Sequence, residues 1–262
     1  MRPSIAGFPI VAASAVLLLA GCTGSAPSVS EAASDAATTA TSAAAPMTPS
    51  ERCGDLAGST SSWITVGDAR YDVGIVGDGP TTVVFTHQND RDSCGFWSYA
   101  VDLADRGVRS MLLNLCGYAQ TDCPDDTDLM GSGSDAVLAA ADAARQDGAD
   151  RVVAVGASMG GVVAVAAAAK SGDSGRLDAV ADLSGPVRYE GMDALAAARS
   201  VTVPGFFAVS PDDPAISPAL LESIAAATPG DDVVRTDGVG HGWDLLRTGA
   251  IAADLTAFIT GP

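Results

Sequence analysis

Apolar residues in this chain fall into short runs separated by polar, glycine-rich turns, and the runs follow two different periods. Residues 62–66 and 71–76 flank Gly67-Asp68 and read as a hairpin of two strands. Thr81–Thr86 and Val108–Leu113 are β-branched or apolar nearly throughout, as are the runs 151–155, 179–183, 203–209 and 233–236. Helical spacing predicts helices over about 96–106, from Ser134 to near Gly148, from just after Ser158 to Lys170, over 216–227, and over 244–259. Strands that alternate with helices and are apolar on both faces predict an α/β domain. Its sheet should be twisted and mostly parallel, of about eight strands, with helices on both faces. In such a sheet, ligands bind beyond the carboxyl ends of the strands. The stretch 185–204 offers the only room for a cap, and it holds one modest helix, 192–199. Little or no cap domain is predicted.

The first residues have a different character. Arg2 is followed by an apolar run over 10–20 that ends in small residues, the pattern of a secretory signal and too short for a spanning helix. It closes on Leu19-Ala20-Gly21-Cys22. This resembles a bacterial lipobox, which implies a signal peptide over 1–21 and lipidation of Cys22. The protein would then be anchored in the cell membrane by acyl chains and face the extracytoplasmic side. Residues 22–50 are rich in Ala, Ser, Thr and Pro. They cannot bury enough surface to offset the entropy of ordering and read as a disordered tether. Residues 51–262 remain, enough for one well-cored domain.

The chain carries 14 basic against 32 acidic residues, a net charge of −18. Loss of Arg2 with the signal takes this to about −19, which argues against nucleic acid as a partner. Beyond Cys22 there are Cys53, Cys94, Cys116 and Cys123, and an even number in an exported chain favours disulfides. Three pairings are open; Cys116–Cys123 would close a short loop and leave Cys53–Cys94 to pin the domain's N-terminal edge. With two histidines and no C-x-x-C, a metal site is the weaker reading, and none is predicted.

Gly156-Ala157-Ser158-Met159-Gly160 is a G-x-S-x-G stretch between an apolar strand and an Ala-rich helix. A strand that turns at once into a helix lifts the serine above the sheet in a strained conformation, and side chains at the flanking glycines would collide with strand and helix. No Lys-Ser/Thr follows, so this is not a phosphate loop, and no cofactor motif appears elsewhere. A serine hydroxyl needs a base and a group to orient that base. Of the two histidines, His241 follows the serine, in a loop flanked by Gly240 and Gly242, and is the candidate base. His87 ends the 81–86 strand and reads mainly as structural. After the 203–209 strand, Asp212 and Asp213 both offer a carboxylate.

The order Ser158, aspartate, His241 makes the chain resemble the α/β-hydrolase superfamily, near its small dienelactone-hydrolase-like and esterase branches, from about Ser62 to the C-terminus. Asp213-Pro214-Ala215-Ile216-Ser217 is similar to the superfamily's acid loop and favours Asp213 over Asp212. Val83-Val84-Phe85-Thr86-His87 is similar to its strand ending in His-Gly, which implies an oxyanion hole from the amides of Met159 and of Gln88 or Asn89. Asn114-Leu115-Cys116-Gly117-Tyr118 is similar to its Asp-x-x-Gly-x stretch. Two departures stand out: Gln88 takes the place of a glycine and Asn114 that of an acid. The resemblance implies a serine hydrolase that cleaves carboxylic esters through an acyl-enzyme; the small room for a cap and the acidic surface predict small-molecule esters of short acyl chain, and no cofactor is predicted.

Overall fold

The computed structural model describes residues 47–54, 58–228, 233–247 and 249–261. The signal segment 1–21, Cys22 and the tether up to residue 46 lie outside the described residues. The described part opens with a short helix, α1 (Pro49–Cys53). Thr48 and Glu51 form a capping box there, each side chain satisfying the other's backbone N–H.

Strands β1 (Ser59–Val66) and β2 (Ala69–Val76) form the hairpin, turned at Gly67-Asp68. The chain continues through β3 (Thr81–Thr86), a 3-10 turn at Ser93–Phe96, α2 (Trp97–Ala104), β4 (Val108–Leu113) and α3 (Leu129–Gln146). After these come β5 (Arg151–Ala157), α4 (Met159–Ser171) and β6 (Ala179–Leu183). A two-strand hairpin, β7 (Arg188–Tyr189) and β8 (Met192–Asp193), leads into α5 (Ala194–Ala198). The chain closes with β9 (Gly205–Ala208), α6 (Pro218–Ala225), β10 (Val233–Arg235), a 3-10 turn at Gly242–Arg247 and α7 (Gly249–Thr260).

Eight strands form one sheet in the order β1-β2-β4-β3-β5-β6-β9-β10. Only β2 runs against its neighbours. Neighbouring residues of a strand serve opposite faces. Val84 belongs to the core under α3, α4, α5 and α6, while Val83 and Phe85 belong to the core under α2 and α7. That double burial is why the strands read as unbroken apolar runs. Helix α4 is buried on nearly every side, which only a helix of Ala, Gly and Val can tolerate between a sheet and a neighbouring helix.

Two helices start elsewhere than the periodicity predicts. Helix α3 begins at Leu129, ahead of Ser134, because Asp128 caps it by accepting from the Gly131 N–H at 3.2 Å. The two glycines of its first turns look like breakers in sequence but lie in crowded space: a Cβ on Gly133 would stand 3.1 Å from Leu115 Cδ2. The closing helix starts at Gly249, and residues 242–247 wind as a 3-10 turn. In the 185–204 stretch, helix is confined to Ala194–Ala198, with Met192–Asp193 extended against Arg188–Tyr189.

The structure joins Cys53 to Cys94 and Cys116 to Cys123. The first ties α1 to the 3-10 turn after β3. The second closes a loop beyond β4.

Candidate active site

Strand register decides where the site forms. Thr86 pairs with Gly156, Ala157 with Leu183, and Leu183 with Ala208, so β3, β5, β6 and β9 end level along one edge. From β3 the chain runs outward to β4 and returns to β5 on the other side of β3. The crevice above β3 and β5 is therefore the topological switch point of the sheet.

Ser158 sits at that point, between β5 and α4, with φ 50° and ψ −116°. Positive φ is costly for a residue with a Cβ, on the order of 1–3 kcal/mol. The surroundings hold it there. Ser158 N–H donates to Leu183 O at 2.8 Å, and Ser158 O accepts from Gly161 N–H at 2.9 Å. The glycines are needed for close approach. A Cβ on Gly156 would lie 2.0 Å from Gly160 O, and one on Gly160 would lie 2.1 Å from Thr86 O. Thr86 Oγ1 also donates to Gly160 O at 2.9 Å. The first turn of α4 is thus pressed against the end of β3, where a Cβ on Gly160 would also lie 2.7 Å from His87 O. Met159 is the first residue of α4, where amide N–H groups have no acceptor within the helix.

His241 lies between Gly240 (φ 91°) and Gly242 (φ 57°), which fold its loop back over the elbow. A Cβ on Gly242 would meet Gln88 Oε1 at 2.4 Å and Ala157 Cβ at 3.3 Å. His241 Nδ1 contacts both carboxylate oxygens of Asp213, at 3.0 and 2.9 Å. The Asp213 side chain is 0% exposed and that of His241 21%. Asp213 Oδ1 also accepts from the Ala215 and Ile216 amides at 2.8 and 3.0 Å. Asp212 is exposed. Its backbone N–H donates to Ser210 Oγ at 3.2 Å.

Ser158 and His241 line one cavity of about 380 Å³, with Gln88, Asn89, Ser184 and Tyr189 among its other walls. A second cavity, of about 440 Å³, is lined by Met159, Tyr118, Cys116 and again Tyr189.

No protein-family model matches the chain, and the comparison with curated proteins found no match. Solved structures do match. The enol-lactonase from Burkholderia xenovorans LB400 superposes with TM-score 0.64 at 16% identity, over 76% of this chain and 100% of that one. The Pyrococcus furiosus esterase Pf2001 gives 0.63 at 13%, over 83% and 94%. The thioesterase domain from the curacin biosynthetic pathway gives 0.57 at 16%, over 78% and 100%.

The chain has the α/β-hydrolase fold.

Within that fold, His87 is fully buried below the cleft. Its Nε2 accepts from Leu115 N–H at 3.0 Å, which leaves Nδ1 to donate to Gln88 O at 2.8 Å. Burial lowers its pKa to about 4, so the ring is neutral at physiological pH. It ties the loop after β3 to the loop after β4. Asn114 does related work. It is buried, accepts from Ser93 N–H at 2.8 Å and donates to Asp72 Oδ2 at 3.3 Å. Among the described residues no three His, Cys, Asp or Glu side chains are grouped to hold a metal ion.

Three features of the α/β-hydrolase cleft were not singled out from sequence. Asp182, on β6, is wholly buried and burial raises its pKa to about 7. Its Oδ1 accepts from Gly185 N–H at 2.7 Å while Oδ2 has no partner. Ser184 is fully buried at φ 59°, lines the serine's cavity, and its Oγ has no partner. Tyr189 comes from the β7–β8 hairpin. The available signal was an aspartate inside an otherwise apolar strand, followed by Ser-Gly.

Proposed function

We propose that this protein is a serine hydrolase that cleaves carboxylic esters with short acyl groups, with Ser158 as nucleophile, His241 as base and Asp213 as the group that orients the base. The observation that carries the reading is the conjunction at the switch point. A serine held at positive φ and a histidine bonded to a buried carboxylate line the same cavity.

In the proposed reaction, Ser158 Oγ attacks the ester carbonyl carbon while His241 Nε2 takes its proton. Because Nδ1–H donates to Asp213, Nε2 carries the lone pair that receives it. The imidazolium so formed is stabilised by the buried carboxylate. Negative charge gathers on the former carbonyl oxygen, where the Met159 and Gln88 amides are the donors we assign; Asn89 is the alternative to Gln88. Losing one such donor commonly costs about 3 kcal/mol of transition-state stabilisation. The C–O bond then breaks and the alcohol leaves with the proton from His241. Water attacks the acyl-enzyme by the same route, releasing the acid and free Ser158.

Export and lipid anchoring through Cys22 belong to the same proposal. The Leu19-Ala20-Gly21-Cys22 sequence and two disulfides, which persist in oxidising compartments, support it. Likeness to a thioesterase domain supports thioesters as a second class of acyl donor for the same residues. The test is a hydrolysis screen over esters and thioesters of graded acyl length, with Ser158→Ala as control. Turnover that disappears in the variant supports the reading. Equal turnover in both proteins overturns it.

A further inference from the structure

Behind the nucleophile lies a carboxyl that the proposed reaction does not use. Asp182 pairs with Gly156 on β5 and Phe207 on β9, so it stands inside the sheet. Its neighbours Ala181 and Leu183 belong to the core under α2 and α7, and its own side chain faces α4. Two glycines cradle it there. A Cβ on Gly161, in the first turn of α4, would lie 2.1 Å from Asp182 Oδ1, and one on Gly185 would lie 2.3 Å from Oδ1 and 2.4 Å from Oδ2. The third glycine of the elbow is therefore needed to admit this carboxyl. Asp182 Oδ1 accepts from Gly185 N–H at 2.7 Å, and Oδ2 has no protein partner. The next two residues hold the site. Leu183 O accepts from Ser158 N–H at 2.8 Å, and Ser184 N–H donates to Ala208 O at 2.8 Å.

No charged group faces this carboxyl. Strands β6 and β9 carry no other ionisable side chain. Arg151 lies at the far end of β5, bonded to Ile259 O and Phe258 O, and Lys170 lies at the far end of α4, paired with Asp135. Asp244 and Arg247 ride on the 3-10 turn that packs against the opposite face of the sheet. His241 and Asp213 are paired with each other. A buried carboxylate with no cation beside it is costly, so the site favours the neutral acid. Burial raises the pKa to about 7, opposed only by the Gly185 N–H. Ionisation would put a negative charge behind the helix end whose Met159 amide is assigned to the oxyanion. Gly161 is two residues beyond Met159, so that charge would stand on the order of 8 Å from the oxyanion. At an effective dielectric of about 20, a second negative charge there slows oxyanion formation by about ten- to thirtyfold.

We propose that Asp182 is a positioning residue of the hydrolase that works as a neutral acid. Protonated, it pins the Ser184–Gly185 turn behind Ser158. Ionised, it opposes the negative charge that gathers on the substrate oxygen, and so it limits activity on the alkaline side. This rests on the ester-hydrolase reading.

The test follows kcat for ethyl butanoate from about pH 6 to about pH 9, per active serine titrated with a fluorophosphonate, in the parent and in Asp182→Asn. Asn keeps an acceptor for Gly185 N–H and cannot ionise. The ratio of variant to parent kcat should be about one at pH 6 and rise to about ten- to thirtyfold at pH 9. KM should stay within about twofold, because the neutral ester does not feel the charge. Asp182→Ala, which also loses the Gly185 bond, should be slower than the parent at pH 6 and show the same rise. A merely structural role lowers kcat by one factor at every pH. A ratio that stays level or falls with pH overturns this proposal alone. Should neither variant fold, the carbon-13 carboxyl resonance of Asp182 in the parent decides. Titration that coincides with a fall in kcat supports the proposal; no titration up to about pH 9, or no fall in kcat, overturns it. No turnover at any pH, with Ser158 inert to the fluorophosphonate, overturns the hydrolase reading and this proposal with it.

Discussion

Replacing Asp213 by Asn probes the site with the least disturbance to the fold. The Ala215 and Ile216 amides both donate to Oδ1, so an Asn keeps its carbonyl there. Its NH2 group then occupies the Oδ2 position, 2.9 Å from His241 Nδ1 in the parent protein. Facing that donor, the imidazole favours the tautomer with a lone pair at Nδ1 and its proton on Nε2 over the one that donates to the retained Oδ1, 3.0 Å away. That removes the base from the side facing Ser158. The carboxylate charge is lost as well. Two unit charges about 4 Å apart interact by about 4 kcal/mol at an effective dielectric near 20, which corresponds to about a thousandfold in rate. The wrong tautomer takes the expected loss in kcat to about 10³–10⁴-fold. The assay is initial rates on a short-chain p-nitrophenyl ester at neutral pH, with a thermal melt of each variant to establish folding. Asp212→Asn, on an exposed side chain, should stay within about twofold. A folded Asp213→Asn protein that keeps a tenth of the activity, or an Asp212→Asn loss of equal size, would refute the assignment.

Asp182 and His87 make opposite contributions to the pH dependence of stability. The folded pKa of Asp182 is raised to about 7, so its burial increasingly destabilises the fold as pH rises from about 4 to about 7, by on the order of 4 kcal/mol at most. The folded pKa of His87 is lowered to about 4, so its contribution is lost as pH falls from about 6.5 to about 4. The two slopes offset each other over that interval. Asp182→Asn should therefore show stability that climbs with pH between 4 and 6.5 and should exceed the parent at pH 8 in urea melts; an unaltered pH profile would contradict the buried acid. Opening the Cys53–Cys94 bridge, with a sequence separation of 41, should cost about 4 kcal/mol, and opening Cys116–Cys123, with a separation of 7, about 2 kcal/mol. Denaturant midpoints of the paired Cys→Ser variants would show a reversed order if this loop-length account fails. Among alkyl esters from two to sixteen acyl carbons, rates should fall with chain length and show no jump at the aggregation threshold. The segment between β6 and β9 offers only the β7–β8 hairpin and the five residues of α5 as cover; rising rates or interfacial activation would point to a lipase.

What could be read from the sequence follows from where the information is local. Strands β3, β5 and β6 are apolar on both faces, so their runs stand out without any knowledge of their neighbours. Ser158 was legible because the geometry of a strand–helix turn writes glycines at 156 and 160, and the structure shows the backbone contacts that require them. The pairing of His241 with Asp213 rather than Asp212 rested on a spacing whose physical basis is visible only in the fold, where the Ala215 and Ile216 amides hold the carboxylate. The start of α3 is not legible in sequence because Gly131 and Gly133 weaken helix propensity, and packing of Gly133 against Leu115 and Val163 overrides that preference. Asp182, Ser184 and Tyr189 are not legible in sequence for a related reason. A buried carboxylate, an unpartnered hydroxyl and a shared cavity wall are properties of three-dimensional neighbours that lie far apart in sequence.

Whether Ser158 is an activated nucleophile is tested most directly by treating the protein with a fluorophosphonate and locating the adduct by intact mass and peptide mapping. The reagent reports an activated serine without requiring the substrate to be known. One stoichiometric adduct on Ser158 is expected, greatly slowed in Asp213→Asn and absent in Ser158→Ala. No adduct on the folded protein, or an adduct on another serine that persists in Ser158→Ala, would contradict it.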